Sequence, residues 1–248
     1  MEIIYILWLR QVKRYLRSKT RIIGSLGQPL LFMVAFGFGF GPIYSKAGGG
    51  DYLEFLVPGV IAMSILFTAT FSGLEIIWDR QFGFLKEMLV APVSRLQIMF
   101  GRSLGGATVA VIQGLIVFIL SLFVGFQVSN WWLALAALAF MFLVAFLFTL
   151  FGTGIASLMK DAQGFQLIVN FLIMPLFFLS GAFFPLEGLP RALAVVVRAN
   201  PLSYGVDGLR GTLVGLAQFS LLTDFTILFL AVIFLLVAAS YLFSKIEA

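Results

Sequence analysis

Histidine and cysteine are absent from this 248-residue chain, and charged residues make up only 11% of it. Without those two side chains, disulfide bridges and the common zinc, haem, thiol and Ser-His-Asp sites are excluded. No stretch matches G-x-x-x-x-G-K-S/T, the loop that holds nucleotide phosphates, so the chain carries no such loop of its own. We therefore expect a protein that is not an enzyme and that holds no metal or cofactor itself.

The shortage of charge is matched by an excess of apolar residues, which make up 61% of the chain. Soluble domains contain roughly 45–50% apolar and about 25% charged residues. A globule of the present composition would expose large apolar patches to water. This excludes an ordinary cytosolic enzyme and a disordered chain, and it predicts an integral membrane protein.

Long runs without Asp, Glu, Lys or Arg divide the chain into membrane spans. A spanning helix needs about 20 mostly apolar residues, and six runs meet that length once the stretch 103–159 is divided at the polar segment 127–130. The predicted fold is therefore all-α, with six transmembrane helices in 22–248. The predicted spans are Ile22–Ser45, Phe55–Leu74, Leu104–Phe126, Trp131–Leu158, Ala162–Leu186 and Phe225–Ser244.

The segment 185–220, between the fifth and sixth spans, contains too many Pro and Gly residues for a clean span. Such a segment either forms short re-entrant or interfacial helices or lies on the surface as an external loop. We favour the short helices on the outer side.

The distribution of Lys and Arg predicts the orientation. Twelve of the 16 basic residues fall on one side of the predicted spans, which the positive-inside rule assigns to the cytoplasm. We expect a prokaryotic inner-membrane protein with both termini in the cytoplasm. Because the net charge of +5 is concentrated in these flanks, it suits anionic lipid better than nucleic acid. The four basic residues expected outside are Lys46, Arg191, Arg198 and Arg210.

Residues 1–21 have the periodicity of an amphipathic helix. At 100° per residue, Arg10, Arg14 and Arg17 cluster opposite Trp8 and Tyr15. Such a helix lies in the headgroup plane with its cations toward anionic membrane lipids. The alternative is a plain basic flank that only sets the topology.

The loop 75–102 is the one long cytoplasmic loop in this topology, and its centre forms a short helix that ends near Ala91-Pro92. Its apolar stripe is too short to span a membrane. A stripe of this kind suits a groove on another protein, or it packs on the inner leaflet or on the protein's own helix ends. The residues of this helix are Phe84, Leu85, Lys86, Glu87, Met88 and Leu89.

Two motifs make the chain resemble the type-2 class of ABC exporter permeases, most closely the drug-resistance and nodulation-factor exporter membrane subunits. The first is Arg80–Arg95 (RQFGFLKEMLVAPVSR), and the second is Leu179–Pro190 (LSGAFFPLEGLP) continuing to Asn200–Arg210 (NPLSYGVDGLR). Their order and spacing agree with the six-span pattern over nearly the whole chain.

The resemblance implies an exporter assembled from two copies of this chain and two copies of a separate ABC ATP-binding subunit, which binds ATP and Mg. It also implies that the helix 84–89 is a coupling helix that docks on that subunit. We place the seam between the two copies on spans one and five. We expect the Gly-x-x-x-Gly pattern at Gly101 and Gly105 to serve packing within one chain or to lie in a loop, rather than to form the dimer face.

The predicted spans contain almost no ionisable groups. A proton- or ion-coupled carrier normally has such groups near the midplane of the membrane, so this absence argues against that kind of transporter. Gln28 and Asn170 are candidates to line a pathway, or they form hydrogen bonds between helices. With 29 Phe residues, the chain suits an amphipathic, drug-like or lipid-like cargo. The alternative function is an autonomous secondary transporter or channel.

Three charged residues of the outer segment are candidates for an outer gate or an interfacial anchor. Asp207 and Arg210 are three residues apart, which suits an ion pair on a helix surface. Glu187 precedes them in the same segment.

Overall fold

The computed structural model describes residues 2–46, 50–90, 93–185 and 190–246. Over these ranges the chain forms eleven α-helices and no strand, which confirms the prediction of an all-α integral membrane protein. The helices are α1 Glu2–Arg17, α2 Lys19–Lys46, α3 Tyr52–Phe71, α4 Leu74–Gln81, α5 Phe84–Val90, α6 Arg95–Val124, α7 Trp131–Leu158, α8 Ala162–Phe178, α9 Arg191–Ala199, α10 Pro201–Val214 and α11 Leu221–Ser244.

Among the described residues, five helices are long and apolar enough to cross a membrane: α2, α3 with its continuation α4, α6, α7 and α11. The fifth predicted span, 162–186, is shorter than expected because α8 ends at Phe178. Its 17 residues extend about 25 Å at 1.5 Å per residue, less than the roughly 30 Å of hydrocarbon. The chain then turns through Gly181, whose φ of 77° favours glycine.

Helix α3 lies in the centre of the bundle, packed between α2, α6, α7 and α10. Gly59 of α3 lies so close to the backbone of Ala182 that a Cβ would collide with it. The helices α2 and α8 are covered on one side only. On α8 the buried residues form a single stripe, Phe165, Val169, Ile173 and Phe177.

The N-terminal helix α1 is separate from the first span, as its amphipathic pattern predicts, although it ends at Arg17 and α2 begins at Lys19. One face of α1 packs along α6, where Gly101 and Gly105 allow a close approach. A Cβ on Gly101 would lie 3.0 Å from the Cα of Ile4. Its position in the headgroup plane stays a prediction.

The helices α9 and α10 correspond to the short helices predicted in 185–220, and they lie at the opposite end of the bundle from α1, α4 and α5. Helix α10 is enclosed between α3, α7 and α11, whereas α9 is mostly exposed. Asn200 caps α10 by accepting from the Leu202 amide, and it donates to the Leu176 carbonyl. We call the end that carries α1, α4 and α5 the basic end, and the end that carries α9 and α10 the hairpin end.

Candidate functional site

The segment predicted to couple to a partner forms two short helices, α4 and α5, at the basic end. The corner between α3 and α4 lies at Gly73, where a Cβ would collide with the Gly152 carbonyl of α7. The turn between α4 and α5 lies at Gly83, whose φ of 78° favours glycine. Both changes of direction therefore depend on a residue without a side chain.

The structure divides the six predicted docking residues between two sides of α5. Leu85 has no exposed surface and belongs to the hydrophobic core, so it anchors the helix to its own bundle. Phe84, Lys86 and Glu87 are exposed, and Met88 is half-buried against the core. The side chain of Leu89 and the residues 91–92 lie outside the described residues. Docking of a partner on the exposed side stays a prediction.

Asp79 of α4 joins three helices by ion pairs. Its Oδ2 lies 2.6 Å from Nη1 of Arg102 on α6, and its Oδ1 accepts a hydrogen bond of 3.3 Å from Nη2 of Arg10 on α1. Arg102 is only 4% exposed, so its charge depends on this carboxylate. The guanidinium of Arg10 also lies 4.1 Å from the ring centroid of Phe84, which connects α1 directly to α5.

Glu75, one helical turn before Asp79, forms a second set of ion pairs. Its Oε1 accepts from Nη1 of Arg21 on α2 at 3.0 Å, and its Oε2 lies 3.6 Å from Nη1 of Arg14 on α1. The two carboxylates are four residues apart and therefore share one face of α4. That face holds cations from three other helices.

Arg80 holds the other side of α4. Its Nη1 donates to the Met159 carbonyl at 2.8 Å, and its Nη2 donates to the Ser157 carbonyl at 3.4 Å, at the end of α7. The segment before the exposed helix α5 is thus fixed to α1, α2, α6 and α7. These contacts connect α4, and through it α5, to all four helices.

The predicted pathway residue Gln28 lines a cavity of about 270 Å³ between the end of α1, the first half of α2 and the second half of α3. The Tyr15 hydroxyl, on the α1 side, donates to the Gln113 side chain of α6. Burial raises the pKa of Tyr15 above its ordinary value, so the hydroxyl keeps its proton. The cavity is lined by Tyr15, Arg21, Ser25, Gln28, Pro29, Met63, Ser64, Phe67, Thr68 and Phe71.

The other predicted pathway residue, Asn170, does not meet Gln28 within the chain. It lies on the uncovered face of α8 in a shallow recess of about 290 Å³, which it shares with Gln163, Gln166 and Leu167. Among the described residues, no group of three or more acidic, His or Cys side chains is placed to hold a metal ion.

At the hairpin end, Asp207 and Arg210 do not form the ion pair on a helix surface that their spacing suggests. Both residues are buried, and within the described ranges they form no ion pair with each other. Asp207 accepts hydrogen bonds of 2.8–3.0 Å from the amides of Gln218 and Phe219. Glu187, the third candidate, lies outside the described residues.

Arg210 fixes α3 to the turn after α8. Its Nη2 donates to the carbonyls of Phe55 at 3.2 Å and Gly181 at 2.9 Å, and its guanidinium carbon lies 3.9 Å from the Phe55 ring centroid. Burial lowers the pKa of Arg210 to about 10, which still leaves it charged at neutral pH. These contacts support a structural anchor, and the gate stays a prediction.

Comparison with known proteins agrees with this architecture. The chain is 29% identical to the inner membrane transport permease YadH of Escherichia coli K12 over 90% of its own length and 87% of the relative's. It is 29% identical to nodulation protein J of Rhizobium leguminosarum bv. viciae over 84% of its own length and 82% of the relative's. It is 32% identical to the putative transport permease ycf38 of Cyanophora paradoxa over 81% of its own length and 69% of the relative's. The profile of the ABC-2 type transporter matches residues 2–214, and the chain belongs to this family of membrane transport permeases.

Proposed function

We propose that this chain is the membrane-spanning subunit of an ATP-driven exporter and that it moves an amphipathic, drug-like or lipid-like cargo outward by alternating access. Two ATP-binding subunits, which bind ATP and Mg, dock on the exposed side of α5. The basic end and both termini face the cytoplasm of a prokaryotic cell, and the hairpin end faces outward. The positive-inside distribution of Lys and Arg supports this orientation.

The observation that carries the proposal is the combination of exposure and attachment in α5. A helix that only packed on its own bundle would bury all its apolar residues, whereas Phe84 and Val90 remain exposed beside Lys86 and Glu87. A helix without contacts to the spans could not pass a movement of the partner on to them. Here Leu85 and the Arg10–Phe84 contact tie the exposed helix to the spans.

A second copy of the chain accounts for the uncovered polar face of α8. Gln163, Gln166 and Asn170 follow one another at i, i+3 and i+7, so they lie on one face of an apolar helix. Lipid tails offer these amide groups no hydrogen bonds. Against a second copy the three side chains find partners or line a hydrated path. This supports a homodimer whose seam follows α2 and α8, the first and fifth predicted spans.

The cavity beside Gln28 supports an amphipathic cargo because its lining combines two chemistries. Hydroxyl, amide and guanidinium groups line it together with the rings of Phe67 and Phe71. A cargo with one polar and one apolar portion satisfies both.

The test is ATP-driven transport by the chain purified with its ATP-binding subunit and reconstituted in vesicles. Lys86→Glu and Glu87→Lys reverse exposed charges on α5, and each is expected to reduce cargo-stimulated ATP hydrolysis and transport about tenfold or more while thermal unfolding is unchanged. Met88→Asp tests the apolar part of the same helix and is expected to reduce ATP hydrolysis and transport in the same way. Leu85→Asp is unsuitable because the buried charge would disrupt the fold.

The matched control is Lys13→Glu, an equal charge reversal at an exposed position of α1, which is expected to leave transport unchanged. Unchanged transport in both α5 variants would contradict docking at α5. Uphill transport by the chain alone, driven by an ion gradient without ATP, would favour the autonomous transporter instead.

A further inference from the structure

We propose that the cavity between α2 and α3 binds the anionic head group of an amphiphile, and that this head group replaces Glu75 on Arg21 and thereby releases the first turn of α4. The inference rests on the proposed function, because it treats the cavity as the place where cargo first binds. Beyond the proposed function, it specifies a negative charge on the cargo and the contacts through which cargo binding affects the coupling helix.

Polar residues face each other across the cavity at helical spacing. On α2, Arg21, Ser25 and Gln28 occupy one face, at i, i+4 and i+7. On α3, Ser64 and Thr68 occupy one face, at i and i+4. The same face of α3 also carries two aromatic rings, so the two helices present hydrogen-bonding groups to a shared space that is otherwise apolar.

Three of these side chains are free to bind a ligand. Within the described part of the chain, the Gln28 amide and the hydroxyls of Ser64 and Thr68 have no hydrogen-bond partner, although all three line the cavity. A cavity of about 270 Å³ is as large as roughly nine water molecules at about 30 Å³ each. It accommodates a small polar head group with several acceptor oxygens.

The charge of the head group follows from Arg21. This guanidinium lines the cavity and at the same time pairs with Glu75 at 3.0 Å, and Glu75 also has Arg14 at 3.6 Å. Two cations therefore share one carboxylate, which neutralises Arg21 only in part, and Arg21 is the one charged residue among the described residues that line the cavity. A phosphate, sulfate or carboxylate head group complements it and competes with Glu75 for the same guanidinium.

The competition has a direct path to the coupling helix. Glu75 and Asp79 share one face of α4, and Asp79 pairs with Arg10, whose guanidinium lies over Phe84 of α5. When Glu75 leaves Arg21, α4 loses its ion pair to α2 and keeps its ion pairs to α1 and α6 and its hydrogen bonds to the end of α7. The start of α4 is then no longer held to α2, so α4 and α5 shift relative to α2, and a partner docked on α5 responds to cargo binding.

The apolar part of the wall accepts the tail of the same molecule. Pro29, Met63 and Phe67 line the cavity beside the polar faces. A free inorganic anion would use only the polar groups of the wall, whereas an amphiphile uses both the polar and the apolar groups. The affinity difference between the two is therefore part of the test.

Binding is measured on the chain in nanodiscs of zwitterionic lipid, with dodecyl phosphate, dodecanol and inorganic phosphate as probes. Dodecyl phosphate is expected to bind about tenfold or more tightly than either of the others. Arg21→Gln is expected to reduce its affinity to that of dodecanol, and Lys19→Gln, which removes an exposed cation two residues away, is expected to change nothing. Equal binding of dodecyl phosphate and dodecanol would overturn the proposal, and so would inorganic phosphate binding as tightly as dodecyl phosphate.

The release of α4 is measured separately, and the absence of cysteine from the sequence makes labelling simple. Spin labels on cysteines introduced at Lys19 and Lys86 report the distance between α2 and α5. Dodecyl phosphate is expected to change this distance in the otherwise unaltered chain and not in Arg21→Gln. An unchanged distance with the probe bound would overturn the replacement of Glu75.

In the complex with the ATP-binding subunit, Glu75→Gln is expected to raise basal ATP hydrolysis severalfold and to abolish stimulation by dodecyl phosphate. Normal stimulation in both Glu75→Gln and Arg21→Gln would refute the inference and leave the exporter function intact. A complex that hydrolyses no ATP would refute the exporter function, and the binding and distance measurements on the chain alone would still decide the head-group site.

Discussion

The two ends of the molecule use their charged residues in different ways. At the basic end, the carboxylates of Glu75 and Asp79 pair with arginine side chains from three other helices. At the hairpin end, Asp207 and Arg210 are equally buried, but their hydrogen bonds run to backbone amides and carbonyls. A side-chain pair can exchange one partner for another, whereas a backbone partner is fixed by its helix or turn. The comparison indicates an end that can rearrange and an end that keeps its shape.

The largest effect is expected from Asp79→Leu, because it leaves the buried Arg102 guanidinium without its carboxylate. Breaking a buried ion pair on one side costs about 3–5 kcal/mol. The free energy of unfolding in detergent, measured by denaturant titration, is expected to fall by that amount. The control is the double variant Asp79→Leu/Arg102→Leu, which removes both charges and is expected to be milder. A double variant as unstable as the single one would show that the pair is not what stabilises this end.

Arg210→Met tests the hairpin end and is expected to have the next largest effect. It removes the donors to the carbonyls of Phe55 and Gly181, and hydrogen bonds of charged groups contribute about 1.5–3 kcal/mol each. We expect a loss of about 3 kcal/mol by the same titration, the low end of the sum for two such bonds, because one Nη2 atom serves both carbonyls. Arg191→Met, on the exposed side of α9, is the control and is expected to be neutral. Equal losses in the two variants would remove the distinction between anchor and surface charge.

Arg10→Gln is expected to affect coupling more than stability. Arg10 is partly exposed, so its pair with Asp79 and its contact with Phe84 together contribute about 1 kcal/mol. Transport by the complex is expected to fall severalfold, because α1 no longer contacts α5. Arg17→Gln, an exposed cation of the same helix, provides the control. Full transport in Arg10→Gln would show that α1 plays no part in transmission.

Tyr15→Phe is expected to have the smallest effect and the clearest pH dependence. At neutral pH it removes the hydrogen bond to Gln113, worth about 1 kcal/mol. Because burial raises the pKa of Tyr15 above 10.0, the hydroxyl's contribution is fully present below pH 10 and is lost as the pH rises through the raised value. The unfolding free energies of the two chains are therefore expected to converge at alkaline pH. A gap that stays constant to high pH would contradict the assignment.

The helices of this fold follow from hydrophobic runs and periodicity, but their neighbours do not. The pattern of residues 1–21 predicts a separate amphipathic helix, and α1 confirms it. The Gly-x-x-x-Gly pattern at Gly101 was expected to serve packing within the chain, and α1 packs there. The periodicity does not predict that the cations of α1 pair with Glu75 and Asp79, because an ion pair between helices distant in sequence depends on how those helices cross. A usable signal was the pair of acidic residues four apart in an otherwise apolar stretch.

The hairpin end shows the opposite limit of sequence reasoning. The spacing of Asp207 and Arg210 suits a local ion pair. Instead, Asp207 accepts from amides in the turn after α10, and Arg210 donates to carbonyls of α3 and of the turn after α8. Hydrogen-bonding capacity of the backbone is the same for every residue, so the sequence carries no mark of such partners. The end of α8 at Phe178 was missed for a related reason: an apolar run continues past it, and the Gly181 turn interrupts the helix without interrupting hydrophobicity.

The glycine contact at the corner of α3 and α4 has a mechanical consequence. With Gly73 pressed against Gly152, the two helices meet at a fixed fulcrum on α7. The arm on the side of α5 is α4, about 12 Å long, and the arm on the far side is α3, about 30 Å long. Because Arg210 holds the Phe55 carbonyl at the far end of the long arm, that end resists rotation about this corner, and a stroke at α5 is taken up by the short arm.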